Sequence, residues 1–195
     1  MIQTKRCFIK GMLAFFVLLL ASCASRKVEK VSLPADFKGP KALGRLYGVK
    51  ITEHDNIFLY NEGARWLGVP HRLGGMSKQG VDCSGFATQI YKTIYRKKLS
   101  RSAAEMLKRD CKRIGRGQLQ EGDLVFFHSG KNKKTPSHVG VYLKNGRFIH
   151  ASTSKGALSR QTWRAFASSF RSVVVSSLSE PYYMRTWICG GRVSK

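Results

Sequence analysis

The stretch that decides the fold runs from residue 138 to residue 151 and reads HVGVYLKNGRFIHA. Apolar residues recur at every second position on either side of Asn145-Gly146, a pattern typical of two antiparallel strands joined by a tight turn. Side chains alternate between the two faces of a sheet, so the length of the turn decides which residues share a face. The stretch therefore predicts a β-hairpin in one of two registers.

The two registers place the histidines of this hairpin differently. A two-residue turn sends His138 and His150 to opposite faces of the sheet. A three-residue loop with Gly146 in the left-handed conformation shifts the pairing by one residue, and both imidazoles then share a face. In that register the other face is uniformly apolar, with Val139, Val141, Leu143, Ile149 and Ala151. We therefore predict the three-residue loop, in which Gly140 lies opposite His150 and leaves room for the rings.

Outside the hairpin the sequence changes from a helical to an extended pattern. Apolar residues first recur at helical spacing and later alternate or run together, as in strands. Helices are predicted at about residues 55–67, 83–96, 102–111 and 162–170, and further strands at 124–127 and 182–189. Helices that precede an antiparallel sheet indicate the α+β class.

The N-terminal residues 1–22 have the pattern of an export signal. Lys5, Arg6 and Lys10 precede an apolar run, Met12 to Ala21, about half as long as the ~20 residues that a membrane-spanning helix needs. The run leads into Leu20-Ala21-Ser22-Cys23, which resembles the bacterial lipobox, where cleavage leaves the cysteine as a lipidated first residue. We expect residues 1–22 to be a lipoprotein signal peptide. The alternative is an ordinary signal peptide followed by a chance cysteine.

Charge and compartment together limit the partners of the chain. Lys and Arg number 35 against 11 Asp and Glu, a net charge of +24, so we expect contact with polyanions. An exported lipoprotein does not meet chromosomal DNA, which leaves anionic lipid or an acidic wall polymer and no nucleic acid. Resembling lipoproteins that stay in the inner membrane carry Asp after the lipidated cysteine. Ala24 at that position favours the outer membrane, with the membrane contact made through lipidated Cys23.

The next segment of the chain is predicted to be a tether. Residues 24–46 are basic, contain Pro34 and Pro40, and show no periodic apolar face, as is typical of a flexible linker. The chain therefore divides into a signal (1–22), a lipidated cysteine with its basic tether (23–46) and a folded domain (47–195).

Cysteine usage leaves an odd number of thiols in the mature chain. Of the five cysteines, Cys7 lies in the signal and Cys23 carries lipid, which leaves Cys83, Cys111 and Cys189. At least one of these is free or pairs with another molecule. A disulfide between Cys111 and Cys189 and two unpaired thiols both stay open, because nothing in the sequence fixes their distance. No Cys-x-x-Cys pair is present, which argues against structural zinc.

Cys83 begins a predicted helix after a glycine-rich loop. A thiol at that place lies at the positive end of the helix dipole, which favours the nucleophilic thiolate. A cysteine alone would be read as a buried, inert residue. His138 and His150 change that reading, since a cysteine nucleophile needs a base and the base needs an orienting partner. The three residues are therefore a candidate Cys–His–His system.

Five blocks of sequence then resemble the NlpC family of bacterial cell-wall cysteine peptidases, which is papain-like. The blocks are GVPHRLGG (68–75), DCSGF (82–86), GDLVFF (122–127), SHVGVY (137–142) and FIHA (148–151). The resemblance implies a papain-like fold, with N-terminal helices packed on a central antiparallel sheet. It also implies an endopeptidase that hydrolyses amide bonds in peptidoglycan stem peptides or crosslinks, with neither a metal nor an organic cofactor.

The resemblance assigns a role to each matched position. Cys83 is the nucleophile, His138 is the general base and then the acid, and His150 orients His138, while the backbone N–H of Cys83 helps to stabilise the oxyanion. Four further residues are expected to contact the stem peptide: His71, Arg72, Asp82 and Ser84. The family usually has tyrosine where this chain has His71, which leaves the substrate subclass open. Other open functions are a papain-like amidase or acyltransferase with another substrate, and a non-catalytic wall-binding lipoprotein.

Overall fold

A central antiparallel sheet with helices before it makes up the part of the chain that the structure, a computed structural model, describes: residues 39–129, 132–153 and 171–193. Its elements are α1 (Pro40–Tyr47), α2 (Ile57–Trp66), β1 (Met76–Ser77), β2 (Gly80–Val81), α3 (Cys83–Ile94), α4 (Ala103–Glu105) with a following π-helical turn (Met106–Asp110), β3 (Cys111–Ile114), a 3-10 turn (Arg116–Gln118), β4 (Leu124–Phe127), β5 (His138–Tyr142), β6 (Arg147–Ala151), β7 (Val173–Ser177), α5 (Pro181–Thr186) and β8 (Trp187–Val193). Within these residues no helix is long and apolar enough to cross a bilayer.

The sheet has six strands in the order β3-β8-β4-β5-β6-β7, and every pair of neighbours is antiparallel. Its inner face packs against α2 and α3 through fully buried side chains such as Phe86 and Ile90 of α3 and Phe126 of β4. This arrangement confirms the predicted α+β class. Burial of these apolar side chains supplies most of the stabilisation that holds α3 against the sheet.

The hairpin of β5 and β6 has the predicted register. Val141 lies opposite Ile149, and the N–H of Leu143 donates to the carbonyl of Arg147 at 2.9 Å. Gly146 has a φ of 74°, in the left-handed region, as the three-residue loop requires. The five residues expected on the apolar face are all fully buried. The alternating pattern therefore identified the core face of this hairpin correctly.

The predicted start of the folded domain at residue 47 was wrong, because α1 already occupies residues 40–47. Pro40 lies in the first turn, where its fixed φ suits a helix, and Leu43, Leu46 and Tyr47 are buried. The Tyr47 hydroxyl donates to the carbonyl of Tyr60 at 2.7 Å, which joins α1 to α2. Leu43, Leu46 and Tyr47 have the spacing of one helix face, but the prolines around them indicated a flexible linker instead. The signal and residues 23–38 lie outside the described residues.

The predictions for the later elements were partly wrong. A strand was expected at residues 182–189, but α5 begins at Pro181 and the strand β8 begins only at Trp187. The edge strands β3 and β7 were not predicted, and the helix expected near residue 102 ends in the π-helical turn before Cys111. The helix predicted at 162–170 lies outside the described residues. Edge strands are short and half-exposed, so their sequence pattern is weak.

Strand register also settles the question of the two outer cysteines. Cys111 in β3 lies opposite Val193 of β8, whereas Cys189 lies several residues further back along β8. That offset exceeds the reach of a disulfide. Both thiols are free.

Candidate active site

The candidate nucleophile lies at the N-terminus of α3. Cys83 is the first residue of this helix, and Asp82 is its N-cap. The carboxylate of Asp82 accepts hydrogen bonds from the N–H of Gly85 at 2.6 Å and from the N–H of Gly74 at 2.9 Å. Asp is favoured at the N-cap because its side chain satisfies N–H groups that the helix leaves unpaired. The Asp82-Cys83 sequence thus starts the helix at the thiol.

Arg101, in the segment before α4, also binds the residues at the start of α3. The sequence alone did not identify this residue. Its guanidinium donates to the carboxylate of Asp82 from Nη1 at 3.0 Å and from Nη2 at 2.6 Å. Nη1 also donates to Oγ of Ser84 at 2.7 Å. Burial pushes the pKa of Asp82 upward, but hydrogen bonds from Arg101 and Gly85 outweigh it and leave the pKa below its ordinary value. Asp82, Ser84 and Arg101 therefore form one hydrogen-bonded network around an ion pair.

The two histidines converge as the hairpin register predicted. Nε2 of His138 lies 2.8 Å from Nδ1 of His150, and the two rings meet edge to face. Gly140 makes this contact possible, because a Cβ there would lie 2.6 Å from the ring of Phe148 and 3.2 Å from Cβ of His150. Since His138 uses Nε2 for His150, its Nδ1 is the nitrogen left for a third group.

Burial keeps both imidazoles neutral. It lowers the pKa of His138 to about 4, with a further decrease from His71. It also lowers the pKa of His150 well below its ordinary value, and the neighbouring His138 adds to this. A neutral imidazole is a proton acceptor, so His138 has the protonation state that a general base requires near neutral pH.

The far side of His150 contacts two hydroxyl groups that the sequence did not reveal. Its Nε2 lies 3.1 Å from the hydroxyl of Tyr183 in α5 and 3.3 Å from Oγ of Ser176 in β7. Both elements are brought to β6 only by the tertiary fold. No local sequence signal connects Tyr183 or Ser176 with the hairpin.

One cavity of about 600 Å³ joins the helix start to the hairpin. Its lining includes Cys83, His138 and His150, together with His71, Arg101 and Tyr182. The backbone N–H of Val139, next to His138, donates to the sulfur of Cys83. The structure therefore brings the three predicted catalytic residues to one cavity and links the sulfur directly to β5.

The thiol itself departs from expectation. Burial raises the pKa of Cys83, the N–H of Val139 opposes that shift, and the carboxylate of Asp82 adds to it. The start of the helix was expected to favour the thiolate, but the raised pKa contradicts this. Loss of water around the sulfur raises the pKa by more than the backbone N–H groups lower it. The resting group at this site is a thiol that shares its cavity with a neutral imidazole.

His71 and Arg72 have different environments although they are neighbours. His71 lines the cavity, and burial lowers its pKa, although nearby Asp82 opposes that decrease. Arg72 is exposed and lies outside the set of described residues that line the cavity, so the structure does not place it in contact with a bound peptide. Its aliphatic stem covers Gly80, where a Cβ would lie only 2.6 Å from that of Arg72. The Arg72 side chain thus packs on the β1–β2 hairpin.

A thiol on a helix start that lines one cavity with two imidazoles, which adjacent strands of an antiparallel sheet carry, is the arrangement of a papain-like domain. The family model of NlpC/P60 matches residues 68–192, which run from before the β1–β2 hairpin into β8. The chain belongs to the NlpC/P60 family.

Individual relatives agree with this assignment. A protein of Escherichia coli K12 named murein DD-endopeptidase MepS/murein LD-carboxypeptidase is 36% identical over 129 residues, 66% of this chain and 58% of that protein. A probable endopeptidase NlpC homolog of Haemophilus influenzae is 37% identical over 135 residues, 69% of this chain and 60% of that protein. The chain thus spans about three fifths of these curated relatives. The crystal structure of an NlpC/P60 family protein from Bacillus cereus superposes with a TM-score of 0.57 at 29% identity, covering 69% of this chain and 39% of that one.

Proposed function

We propose that this protein is a cell-wall endopeptidase that hydrolyses amide bonds in peptidoglycan stem peptides or crosslinks. The observation that carries the proposal is the shared cavity of Cys83, His138 and His150, in which His138 is hydrogen-bonded to His150 through Nε2. The name of the Escherichia coli relative, a murein endopeptidase and carboxypeptidase, supports wall peptides as the substrate class.

The first half of the reaction forms an acyl-enzyme. Nδ1 of His138 takes the proton of the Cys83 thiol as the sulfur attacks the scissile carbonyl carbon, and the carbonyl oxygen becomes an oxyanion. The backbone N–H of Cys83 then stabilises this charge, and its position at the start of α3 supports that role. The imidazolium of His138 then gives its proton to the leaving amine as the carbon–nitrogen bond breaks. A thioester on Cys83 and a free amine result.

The second half returns the enzyme to its resting state. His138 takes a proton from water, and the resulting hydroxide attacks the thioester carbonyl. The carbon–sulfur bond breaks, the carboxylic acid leaves, and the sulfur recovers its proton from His138. Since the resting pair is a thiol and a neutral imidazole, each half moves one proton through the same nitrogen.

The walls of the cavity suit a peptide rich in carboxylates. Arg101 lines the helix side of the cavity with a side chain that is 44% exposed, and its guanidinium has N–H donors beyond those bound to Asp82 and Ser84. Stem peptides of peptidoglycan carry carboxylates along their length, and such donors favour their binding. We further propose that His71 contacts the same peptide from the loop before β1.

Cleavage of defined muropeptides tests the proposal. The full chain would be incubated with crosslinked and uncrosslinked muropeptides, and the products weighed by mass spectrometry. We expect new peptide fragments that are lost in Cys83→Ala and retained in Cys111→Ser, which removes a free thiol from β3. Fragments that persist in Cys83→Ala would exclude this cysteine as the nucleophile. Binding without cleavage would favour a wall-binding protein, and acyl transfer or release of sugar from peptide would favour the transferase or amidase alternative.

We also propose that the chain is exported, lipidated at Cys23 and anchored in the outer membrane, facing the periplasm. The lipobox-like residues Leu20-Ala21-Ser22-Cys23 and the following Ala24 support this. Two or more acyl chains give stable anchoring, since each buried CH₂ contributes about 0.8 kcal/mol. The mass of the N-terminal peptide from cells tests it: we expect a diacylated cysteine in the native chain and none in Cys23→Ser. An unmodified cysteine, or recovery in the inner membrane, would refute lipidation or location respectively.

A further inference from the structure

Nε2 of His150, the ring nitrogen that does not contact His138, takes no part in the proposed reaction, yet it is surrounded by buried polar groups. This nitrogen is within hydrogen-bond distance of the hydroxyls of Tyr183 and Ser176. All three residues are buried, His150 to within 1% and the other two to within 7% of full burial. A polar group at this depth is almost always hydrogen-bonded, because an unpaired one is costly. The question is therefore which atom carries the hydrogen.

The proposed proton transfer determines which tautomer both His138 and His150 must have. If Nδ1 of His138 accepts the thiol proton, the hydrogen of the resting ring is on Nε2, and that N–H donates to Nδ1 of His150. His150 must then carry its own hydrogen on Nε2. A neutral imidazole can hold its hydrogen on either nitrogen, so the groups around it decide between the two tautomers. An acceptor is needed at Nε2 of His150.

We infer that Tyr183 is a positioning residue of this site, whose hydroxyl oxygen, together with Oγ of Ser176, accepts the Nε2–H of His150 and holds that ring in the tautomer that receives the hydrogen bond from His138. Further hydrogen bonds join the Tyr183 hydroxyl to the hydroxyls of Ser176 and Ser152, each of which can donate or accept. The inference deepens the proposed function and rests on it for the kinetic effect.

The ring of Tyr183 is fixed independently of its hydroxyl. It packs 4.8 Å from Phe148 and 5.0 Å from Phe127, measured between ring centroids, within a small cluster on the outer face of the sheet. Tyr183→Phe therefore keeps the packing and removes one oxygen. Burial raises the pKa of Tyr183 to about 12, so the hydroxyl stays neutral throughout the working range of such an enzyme. The acceptor for His150 is thus uncharged at any pH tested.

Nitrogen NMR of the histidines measures the tautomer directly and needs no substrate. The chain has five histidines, so ring nitrogens labelled with ¹⁵N can be assigned with single His→Gln variants. We expect His150 as the Nε2–H tautomer in the native chain. The double variant Tyr183→Phe with Ser176→Ala should move it toward the Nδ1–H tautomer. Tyr95→Phe is the matched control, since it removes a phenol hydroxyl that bonds Asn56 at the far end of α3. A native Nδ1–H tautomer, or a double variant with an unchanged tautomer, overturns the inference.

A double-mutant cycle tests whether Tyr183 acts through His150. With a muropeptide substrate, Tyr183→Phe should lower kcat about tenfold at unchanged KM, the rate equivalent of one hydrogen bond. The same substitution made on top of His150→Ala should have no further effect. Equal losses in both backgrounds would mean that the Tyr183 hydroxyl acts independently of His150, and the inference would fail.

Alkylation of Cys83 separates failure of this inference from failure of the proposed function. The rate of its modification by iodoacetamide, followed on the Cys83 peptide by mass spectrometry, depends on proton transfer to His138 and requires no peptidoglycan. We expect the same His150-dependent slowing by Tyr183→Phe in this assay. If alkylation and the tautomer respond as expected while no muropeptide is cleaved, the positioning role stands and the proposed substrate fails. If cleavage is found and neither assay responds, the positioning role fails alone.

Discussion

The two walls of the cavity hold their reactive groups by opposite means. On the helix wall, Cys83 stands beside an ionic network in which Asp82 and Arg101 pair closely. On the sheet wall, His138 is held by an uncharged series that runs through His150 to Tyr183. An ion pair thus flanks the nucleophile, whereas the group that must gain and lose a proton is hydrogen-bonded to a second buried imidazole. A fixed charge beside the base would bind one of its protonation states and slow the return of the proton.

The difference between the two walls also predicts which changes destabilise each of them. The helix wall should be sensitive to the loss of one ionic partner, because the other is then left unpaired. The sheet wall should be sensitive to acid and to crowding, because its imidazoles are neutral and closely packed. Four changes test this contrast.

Removal of the cap carboxylate should have the largest effect on stability. Asp82→Ala breaks the N-cap of α3 and leaves the N–H groups of Gly85 and Gly74 without their acceptor, and we expect the free energy of unfolding to fall by about 4 kcal/mol. Asp82→Asn is the control, since it keeps a cap oxygen and should lose about half as much. Urea unfolding at pH 7 measures both. A loss below about 1 kcal/mol in Asp82→Ala would show that the network contributes nothing to the helix wall.

Acid should destabilise the sheet wall. The unfolded chain binds a proton at each histidine near the ordinary pKa of 6.5, whereas burial lowers the pKa of folded His138 to about 4. The unfolded state therefore binds more protons between these values, and stability falls as pH falls from about 6.5 to about 4. We expect about 3 kcal/mol of this loss to come from His138, and urea unfolding of His138→Gln should lack it.

The matched control for this pH dependence is His54→Gln, which changes an exposed histidine. It should leave the stability of the chain and its slope with pH as they are in the native protein. An equal slope in the native chain and in His138→Gln would mean that His138 does not carry the acid sensitivity of this wall.

A single methyl group should disturb the contact between the imidazoles. Gly140→Ala places a Cβ against the ring of Phe148 and near His150, and we expect a loss of about 2 kcal/mol from overpacking. Cleavage should fall more steeply than stability, because the ring of His150 is displaced from His138. Gly117→Ala is the control, since nothing lies within 4 Å of its added Cβ. Full cleavage by Gly140→Ala would contradict the close packing of this wall.

The smallest change concerns the geometry of the ion pair. Arg101→Lys keeps the charge but loses the two parallel hydrogen bonds to Asp82, and we expect about 1 kcal/mol of destabilisation. Arg109→Lys, at an exposed pair with Glu105 on the helical turn, should cost less than half of that. Thermal unfolding of the three proteins measures the difference. Equal stability of all three would show that charge alone, without the planar guanidinium, suffices on the helix wall.

The sequence predicted those parts of the site that depend on local pattern. The hairpin register followed from alternation and one glycine, so the meeting of His138 and His150 could be predicted before any tertiary contact was known. The start of α3 at Cys83 followed from the glycine-rich loop before it and the helical pattern after it, whereas Asp82 was expected only as a contact to the peptide and proved to be the N-cap. Both are short-range effects, in which the residues that determine the geometry are neighbours in the chain.

The parts that the sequence missed depend on long-range contacts. Arg101 reaches Asp82 only because the segment before α4 packs on the start of α3, and Tyr183 reaches His150 only because α5 covers the outer face of the sheet. The raised pKa of Cys83 also comes from burial against β5, which no local pattern reports. The helix α1 was missed for a different reason, since its few apolar positions were read together with the prolines around them.

The hairpin of β5 and β6 has a consequence for the order in which the protein assembles. The contact between His138 and His150 spans only 12 positions of the chain, so its closure is entropically cheap, and hairpins form within about 1–10 μs. Cys83 belongs to a much earlier segment and must wait for α3 to dock on the finished sheet. The proton acceptor is thus expected to exist before the sulfur reaches it, and an incompletely folded chain carries an unactivated thiol. Topology thereby delays reactivity until the rest of the molecule has formed.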